Sequence, residues 1–217
     1  MRRKLNNANV IRSVSYDQHQ ILKWILELYI PSGQFDYDPT YSKGVFYKTD
    51  VPEPKYKSCL TDEGLVDFFA DTKNLPVKSE SLNSICFDPP FTMGSGPSVK
   101  NPKTGSNIIN RRFGIIKNEK ELLSFYYSSL IEFERILKPK GVLVFKCQDC
   151  IVSSKQIMSH AAIITAAARL GLYPKDLFIL TKKSVILSGK VKKQQHARKF
   201  HSYFLVFIKE TPKVSYI

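Results

Sequence analysis

The chain has 217 residues, and its 33 lysine and arginine residues outnumber 19 aspartate and glutamate residues, so that the net charge is +14. This length fits one α/β domain over residues 1–217 and leaves little room for a second module. The charge favours a polyanionic partner, with nucleic acid as the leading candidate. No apolar run reaches the roughly 20 residues that span a bilayer, and no apolar signal core follows the basic start. We therefore expect a soluble, cytoplasmic protein without a membrane partner.

The cysteine pattern argues against a metal site. Cys147 and Cys150 form one Cys-x-x-Cys pair, but no second pair and no nearby pair of histidines completes a tetrahedral zinc site. We expect reduced thiols and no bound metal.

The first predicted elements are a helix and a strand. Residues 1–16 form a basic segment that we expect to be flexible. Apolar residues at helical spacing predict an amphipathic helix over residues 17–30, and the Pro-Ser-Gly sequence at 31–33 ends it. Residues 35–38 predict a short strand, and residues 39–44 a turn that leads into a helix or loop.

The middle of the chain predicts further strands. A strand can cover residues 56–60, whereas residues 63–70 carry both helical and strand signals. Residues 71–76 predict a strand end followed by a turn. The apolar run of residues 85–87 predicts a strand that stops at Asp88, because two prolines follow.

Asp88-Pro89-Pro90-Phe91 is the most informative sequence in the chain. Each proline lacks a backbone N–H and fixes its own φ, so the chain must leave the sheet in an extended turn. The Asp88 carboxylate, a backbone carbonyl and the flat face of Phe91 would then project from the strand end. Two acceptors beside an aromatic plane suit the exocyclic amino group of a planar base. An ordinary proline-rich turn is the alternative.

A long loop, a helix and a buried strand follow the motif. Residues 92–117 are mostly polar and without apolar periodicity, which predicts a long loop. Asn118 can cap a helix over residues 119–137, and the Lys-Pro-Lys-Gly sequence at 138–141 stops it. The apolar run of residues 141–146 predicts a buried strand.

The last part of the chain predicts one helix and two strands. Residues 156–170 are alanine-rich and helical, and strands over 176–181 and 203–209 are separated by a basic loop at 182–201. Helices therefore lie between successive strands until the last pair, which a loop joins. This order predicts a mostly parallel sheet with an antiparallel last strand.

The motif and its surroundings resemble those of a known family. Residues 88–91 match the catalytic motif Asp/Asn/Ser-Pro-Pro-Tyr/Phe/Trp of the S-adenosylmethionine-dependent amino-methyltransferases. The resemblance runs from about residue 35 to residue 209, through this motif, the Leu-Lys-Pro-Lys-Gly sequence before the next strand and the spacing between them. It implies a Rossmann-like methyltransferase fold, with a seven-stranded, mostly parallel sheet and an antiparallel last strand. It also implies that the catalytic residues are Asp88, Pro89, Pro90 and Phe91.

The resemblance implies S-adenosyl-L-methionine as the cofactor. Residues 38–44 resemble the family's loop Asp-Pro-Phe-x-Gly-x-Gly, but keep only the Asp-Pro pair and the last glycine. Loss of the other glycine places a side chain where the backbone normally turns close to the cofactor. The implied cofactor-binding residues are Asp38, Pro39, Thr40, Ser42, Asp71 and Asp88. A plain Asp-Pro-Thr turn, and a turn cap at Asp71, are the alternatives.

Two basic segments, residues 92–117 and 182–201, are predicted to face nucleic acid, because basic and amide side chains contact phosphates and base edges. The predicted contacts are Arg111, Arg112, Lys190, Lys192, Lys193, Gln195, His196, Arg198 and Lys199. Lys146 is interpreted as a solvated strand end, with a phosphate or the cofactor carboxylate as its alternative partner.

The expected function is DNA adenine-N6 methylation of a flipped or unpaired adenine. Aspartate at the first motif position favours adenine over cytosine by the family's general habit. An RNA adenine-N6 methyltransferase, and a catalytically inactive nucleic-acid-binding subunit of the same fold, are the alternatives. Because a recognition domain of the usual size is missing, loops, a partner subunit or a homodimer would supply target recognition.

Overall fold

The computed structural model describes residues 10–47, 50–61, 65–91, 116–152, 154–183 and 194–211. The described strands are β1 Val14–Ser15, β2 Tyr37–Asp38, β3 Tyr56–Cys59, β4 Phe68–Phe69, β5 Leu82–Phe87, β6 Leu137–Cys147, β7 Cys150–Val152, β8 Lys155–Ile157, β9 Leu172–Thr181 and β10 His201–Lys209. The described helices are α1 Gln18–Tyr29, α2 Glu119–Ile136 and α3 Ser159–Arg169.

Eight strands form one sheet in the order β1-β9-β10-β6-β5-β2-β3-β4. β10 is antiparallel to both β9 and β6, and the other neighbours in this sheet are parallel. This arrangement confirms the expected α/β fold with a mostly parallel sheet and a reversed last strand. β7 and β8 form a separate hairpin.

The sheet has one strand more than the seven expected. Val14 and Ser15 pair in parallel with Ile179 and Leu180 at the sheet edge. The expected flexible segment at residues 1–16 therefore does not extend to these two residues, and residues 1–9 lie outside the described part of the chain.

The expectation of a helix between successive strands is wrong for one half of the sheet. In the described residues between β2 and β5, the helical structure is a single 3₁₀ turn at Val45–Tyr47. β2, β3 and β4 contain two, four and two residues, so these strands present little surface for a helix to cover.

The helix expected from residue 156 begins three residues later. Lys155–Ile157 pairs instead with Cys150–Val152 in the β7–β8 hairpin, and the helix starts at Ser159. By contrast, α2 starts where its cap predicts, because Asn118 Oδ1 accepts a hydrogen bond of 3.0 Å from the Glu121 N–H.

The core has two parts, one on each face of the sheet. α2 and α3 cover one face, where Phe133 and Ile163 pack with Phe145 of β6. α1 covers the other face, where Ile25 packs with Val144 of β6. β6 is thus buried on both faces, as its continuous apolar run predicts.

No described helix is long and apolar enough to cross a membrane. Cys59, Cys86 and Cys147 are buried, and Cys150 is half-buried.

Candidate active site

The proline motif lies at the carboxyl end of β5, near the middle of the sheet. Packing of Phe87 against Phe133 and Phe145, with ring centroids 4.7 and 4.9 Å apart, fixes the end of this strand. The Tyr126 hydroxyl on α2 donates a hydrogen bond of 2.7 Å to the carbonyl oxygen of Pro90. The motif is therefore held by aromatic packing from β6 and α2 and by a hydrogen bond from α2.

Thr40 joins this motif to the loop that follows β2. The Asp88 N–H donates to Thr40 Oγ1 over 2.9 Å, and the same hydroxyl donates to Asp38 Oδ1 over 2.8 Å. A hydroxyl can accept one hydrogen bond while it donates another, so Thr40 completes both contacts. The predicted cofactor-binding residues Asp38 and Thr40 and the predicted catalytic residue Asp88 thus lie together.

Asp38, the last residue of β2, is buried where this loop begins. Besides the Thr40 hydroxyl, its carboxylate accepts hydrogen bonds of 2.7 Å from the Thr40 N–H and from the Tyr47 hydroxyl. Burial raises the pKa of Asp38 to about 7, despite these hydrogen bonds. Asp38 therefore also orders the loop itself.

The loop keeps a left-handed turn where a family glycine is missing. Ser42 occupies that position with φ of +50°, and Gly44 follows with φ of +61°. A Cβ at Gly44 would lie 2.5 Å from the Tyr41 hydroxyl, so a side chain there would displace Tyr41. Serine in place of this glycine has therefore not removed the turn, although Ser42 adopts a conformation that non-glycine residues rarely adopt.

Two cavities open on either side of this loop. The larger, of about 500 Å³, is lined by residues that include Pro39, Leu60, Asp71, Ile116 and Phe125. The smaller, of about 290 Å³, is lined by residues that include Gln18, Asp38, Thr40, Ser42, Asp88 and Lys146. The six predicted cofactor-binding residues are thus distributed over these two cavities.

Asp71 caps a turn, which is the alternative role that its sequence context offers. Its Oδ1 accepts a hydrogen bond of 3.0 Å from the Lys73 N–H, and Oδ2 lies 3.2 Å from Lys73 Nζ, as in a capped turn. The same residue lines the larger cavity.

The interpretation of Lys146 as a solvated strand end is wrong. Its side chain is 11% exposed, and its Nζ lies 3.4 Å from Asp88 Oδ1. The Nζ also donates to Gln18 Oε1 over 3.4 Å. Alternation along β6 directs this side chain to the α1 face, where aromatic residues cover it.

A second polar cluster, which the sequence did not predict, follows the end of β6. Asp149 Oδ1 lies 2.8 Å from His160 Nδ1, and Tyr203 donates to Asp149 Oδ2 over 3.4 Å. His201 Nε2 lies 2.8 Å from the Tyr203 hydroxyl, and burial raises the pKa of Tyr203 to about 12. The position of Asp149 just after a buried strand was the only sequence feature that pointed to this cluster. Its partners His160 and Tyr203 could not be inferred, because they come from distant parts of the chain.

Part of the predicted nucleic-acid surface is described. His196 Nε2 lies 3.0 Å from the Ser154 carbonyl oxygen, and Ser154 Oγ lies 3.4 Å from Gln195 Oε1, so this segment packs on the β7–β8 hairpin. A cavity of about 520 Å³ between them is lined by Ile151, Ser154 and residues 194–199. Arg198 is exposed and Lys199 half-buried. The predicted contacts outside the described residues are Arg111, Arg112, Lys190, Lys192 and Lys193.

Solved structures share this architecture. The chain is similar to one chain of a Haloferax volcanii complex between the methyltransferase activator Trm112 and the protein described as its methyltransferase, with 13% identity, a TM-score of 0.50, and 88% of this chain and 94% of that chain covered. The chain has the Rossmann-like methyltransferase fold. Its sheet is mostly parallel, and β10 is antiparallel to both of its neighbours.

Two DNA-modifying enzymes are further matches. One is described as a DNA modification methylase of Thermus thermophilus, solved with S-adenosyl-L-methionine, with 17% identity, 65% of this chain covered and a TM-score of 0.44. The other is the PvuII cytosine-N4-specific DNA methyltransferase, with 17% identity, 67% of this chain covered and a TM-score of 0.47. The matches span 54% and 50% of those chains. No protein-family model and no curated protein sequence matches the chain.

Proposed function

We propose that the chain is an S-adenosyl-L-methionine-dependent DNA methyltransferase that acts on the exocyclic N6 amine of a flipped or unpaired adenine. The observation that carries this proposal is the position of Asp88-Pro89-Pro90-Phe91 at a central strand end, joined by Thr40 to a loop between two cavities. The site lies outside the carboxyl ends of the strands, where open α/β sheets bind ligands.

The two cavities fit the two parts of the cofactor. The larger cavity has a mostly apolar lining that includes Asp71, which suits a nucleoside with ribose hydroxyls. The smaller cavity is lined by residues that include Asp38 and Asp88, and the partly exposed Asp88 carboxylate suits a cationic group of the methionine part. Both volumes are of the order found for small-molecule sites, about 300–1,000 Å³. When bound, S-adenosyl-L-methionine supplies an electrophilic methyl group.

The sequence Asp88-Pro89-Pro90-Phe91, called the acceptor motif below, has the groups that such a methyl transfer requires. An adenine N6 lone pair is delocalised into the ring, so acceptors for its two N–H groups favour the pyramidal nitrogen that attacks. The Asp88 carboxylate and the Pro89 carbonyl would accept these hydrogen bonds, and Phe91 would stack on the base. A base within a duplex cannot reach this strand end unless it leaves the stack.

The nucleic-acid substrate is inferred from the charge and the basic segments. The net charge of +14 favours a polyanion, and the exposed Arg198 belongs to the segment that packs on the β7–β8 hairpin. DNA is preferred to RNA through the resemblance to DNA amino-methyltransferases.

Radiolabelled methyl transfer tests the proposal. Duplex DNA, single-stranded DNA and structured RNA are each incubated with labelled cofactor and the full chain, followed by identification of the labelled nucleoside. We expect N6-methyl-2′-deoxyadenosine from DNA and a loss of at least about 100-fold in rate for Asp88→Ala. Label in cytosine would contradict the adenine assignment, and label in RNA alone would favour the RNA enzyme.

Cofactor binding tests the inactive-subunit alternative. Calorimetric titration with S-adenosyl-L-methionine should show heat and raise the melting temperature of the wild-type chain. Absence of both effects would contradict the enzyme proposal and favour a nucleic-acid-binding subunit of the same fold.

A further inference from the structure

The Lys146 ammonium lies in a cage of three phenylalanine rings. The distances from Nζ to the ring centroids are 4.5 Å for Phe46, 5.5 Å for Phe204 and 5.6 Å for Phe91. A cation over aromatic faces at these distances is attracted by the ring quadrupoles. Phe46 follows β2, Phe204 lies on β10 and Phe91 ends the acceptor motif, so the cage brings together three separate parts of the fold.

The ammonium also has two polar partners, the Asp88 carboxylate and the Gln18 amide oxygen, each 3.4 Å away. Only 11% of the Lys146 side chain is exposed, whereas 32% of the Asp88 side chain is exposed. An ammonium with so little contact with water is stable only where a carboxylate and polar or aromatic groups replace its hydration. Lys146 is therefore held in place by contacts with α1, the 3₁₀ turn, β10 and the motif itself.

Lys146 brings a positive charge to Asp88, and three further described groups interact with this carboxylate. Asp38, Cys86 and Tyr126 also interact electrostatically with Asp88. Burial raises the pKa of the Cys86 thiol and of the Tyr126 hydroxyl well above their ordinary values, so both are neutral near pH 7. Among these groups, Lys146 supplies the charge that opposes Asp88.

We propose that Lys146 is a positioning residue, which fixes the direction of the Asp88 carboxylate and the plane of the Phe91 ring through one ammonium group. The inference rests on the proposed function, because these are the two side chains that would hold the target base. An acceptor and a stacking plane that are fixed before the base arrives need no reorganisation during the transfer. Lys146 exchanges no proton and forms no bond in this role.

Three variants test the role of this ammonium. Lys146→Met keeps the length of the side chain and removes its charge, Lys146→Arg restores a cation, and Lys78→Met removes an exposed lysine that precedes β5 at the opposite edge of the sheet. We expect Lys146→Met to lower kcat by about 10- to 100-fold with less than about a 3-fold change in cofactor KM. Lys146→Arg should recover part of kcat, and Lys78→Met should behave as the wild type.

The pH profile separates positioning from a merely structural contribution. A carboxylate without a neighbouring cation takes up a proton more readily, so the acid limb of the kcat profile should move upward by about 1 pH unit in Lys146→Met. An unchanged acid limb together with an unchanged kcat would overturn the inference. If Lys146→Met does not fold, as judged by circular dichroism, Lys146→Gln takes its place.

A spectroscopic measurement distinguishes failure of this inference from failure of the proposed function. Carboxyl ¹³C NMR of aspartate-labelled protein follows the titration of Asp88, whose signal is assigned by its loss in Asp88→Asn. The midpoint should move upward by about 1 pH unit in Lys146→Met and stay fixed in Lys78→Met. A moved midpoint in a protein that transfers no methyl group supports the Lys146 contact and contradicts the proposed function. A fixed midpoint overturns the contact itself.

Discussion

The two halves of the sheet are built in different ways. β5, β6 and β10 contain six, eleven and nine residues, and helices cover them on both faces. β2, β3 and β4 contain two, four and two residues, and the described connections between β2 and β5 include a 3₁₀ turn but no α-helix.

This difference separates the two functions of the proposed site. The long half, which contains β5, β6 and β10, carries the acceptor motif and orients it by aromatic packing around Phe87. The short half, which contains β2, β3 and β4, carries the proposed cofactor loop at residues 38–44. Hydrogen bonds among Asp38, Thr40 and Tyr47 order this loop. We therefore expect the free energy of unfolding to depend mainly on apolar side-chain volume in the long half and on single polar groups in the short half.

The largest expected effect is that of Phe87→Ala. Phe87 is fully buried and contacts three other aromatic rings, so its removal leaves a cavity in the long half. We expect the free energy of unfolding to fall by about 3–5 kcal/mol, measured by denaturant unfolding. Phe69→Ala is the matched control in the short half, because Phe69 is 57% exposed, and it should cost less than about 0.5 kcal/mol. Similar losses in both variants would show that the halves do not differ in packing.

The second effect is that of Thr40→Val, which removes the hydrogen bond between Thr40 and Asp88 that links the two halves. Valine keeps the shape of threonine but leaves the Asp88 N–H without its acceptor and Asp38 without one donor. We expect a loss of about 2 kcal/mol in the free energy of unfolding, because buried polar groups without partners carry their desolvation cost. Thr40→Ser keeps the hydroxyl and should lose less than half as much. Equal losses in both variants would assign the effect to the methyl group instead.

Most of the long half could be predicted from the sequence, because its signals are local. The cap at Asn118, the apolar run that became β6 and the two prolines after β5 each specify their own structure. The short half was harder to predict, because strands of two residues show no alternation of apolar and polar side chains. The helices expected between its strands are not found in the described residues, and no sequence signal indicated this.

The site was predictable where one segment supplied it and not where several met. Residues 88–91 and 38–44 were found as contiguous motifs, and both lie at the carboxyl edge of the sheet. The burial of Lys146 depends on rings from three segments, and the partners of Asp149 come from α3 and β10. No spacing along the chain encodes such contacts, because the sheet order alone brings these residues together.

The third effect concerns the pH dependence of stability in the short half. The pKa of Asp38 is raised to about 7 in the folded chain, so between pH 4 and 7 the folded state holds a proton that the unfolded state has released. Stability from this group is therefore highest at low pH and falls as the pH rises. From pH 5 to pH 6, the wild type should lose on the order of 1 kcal/mol relative to Asp38→Asn, which does not titrate there. Parallel stability curves for the two proteins would contradict the raised pKa.

The smallest effect is that of Ser42→Gly, which tests whether the cofactor loop still needs its lost glycine. Ser42 has φ of +50°, and glycine would relieve the strain of this conformation while it adds freedom to the unfolded chain. These terms oppose each other, so we expect the free energy of unfolding to change by less than about 1 kcal/mol. Cofactor affinity, measured by calorimetry, should change by less than about 3-fold, because the turn is already formed with serine. Ser42→Val is the matched control, since a β-branched residue fits this conformation poorly, and it should weaken both stability and affinity. A large gain in affinity for Ser42→Gly would show instead that the serine side chain obstructs the cofactor, and that the short half has lost part of its binding capacity.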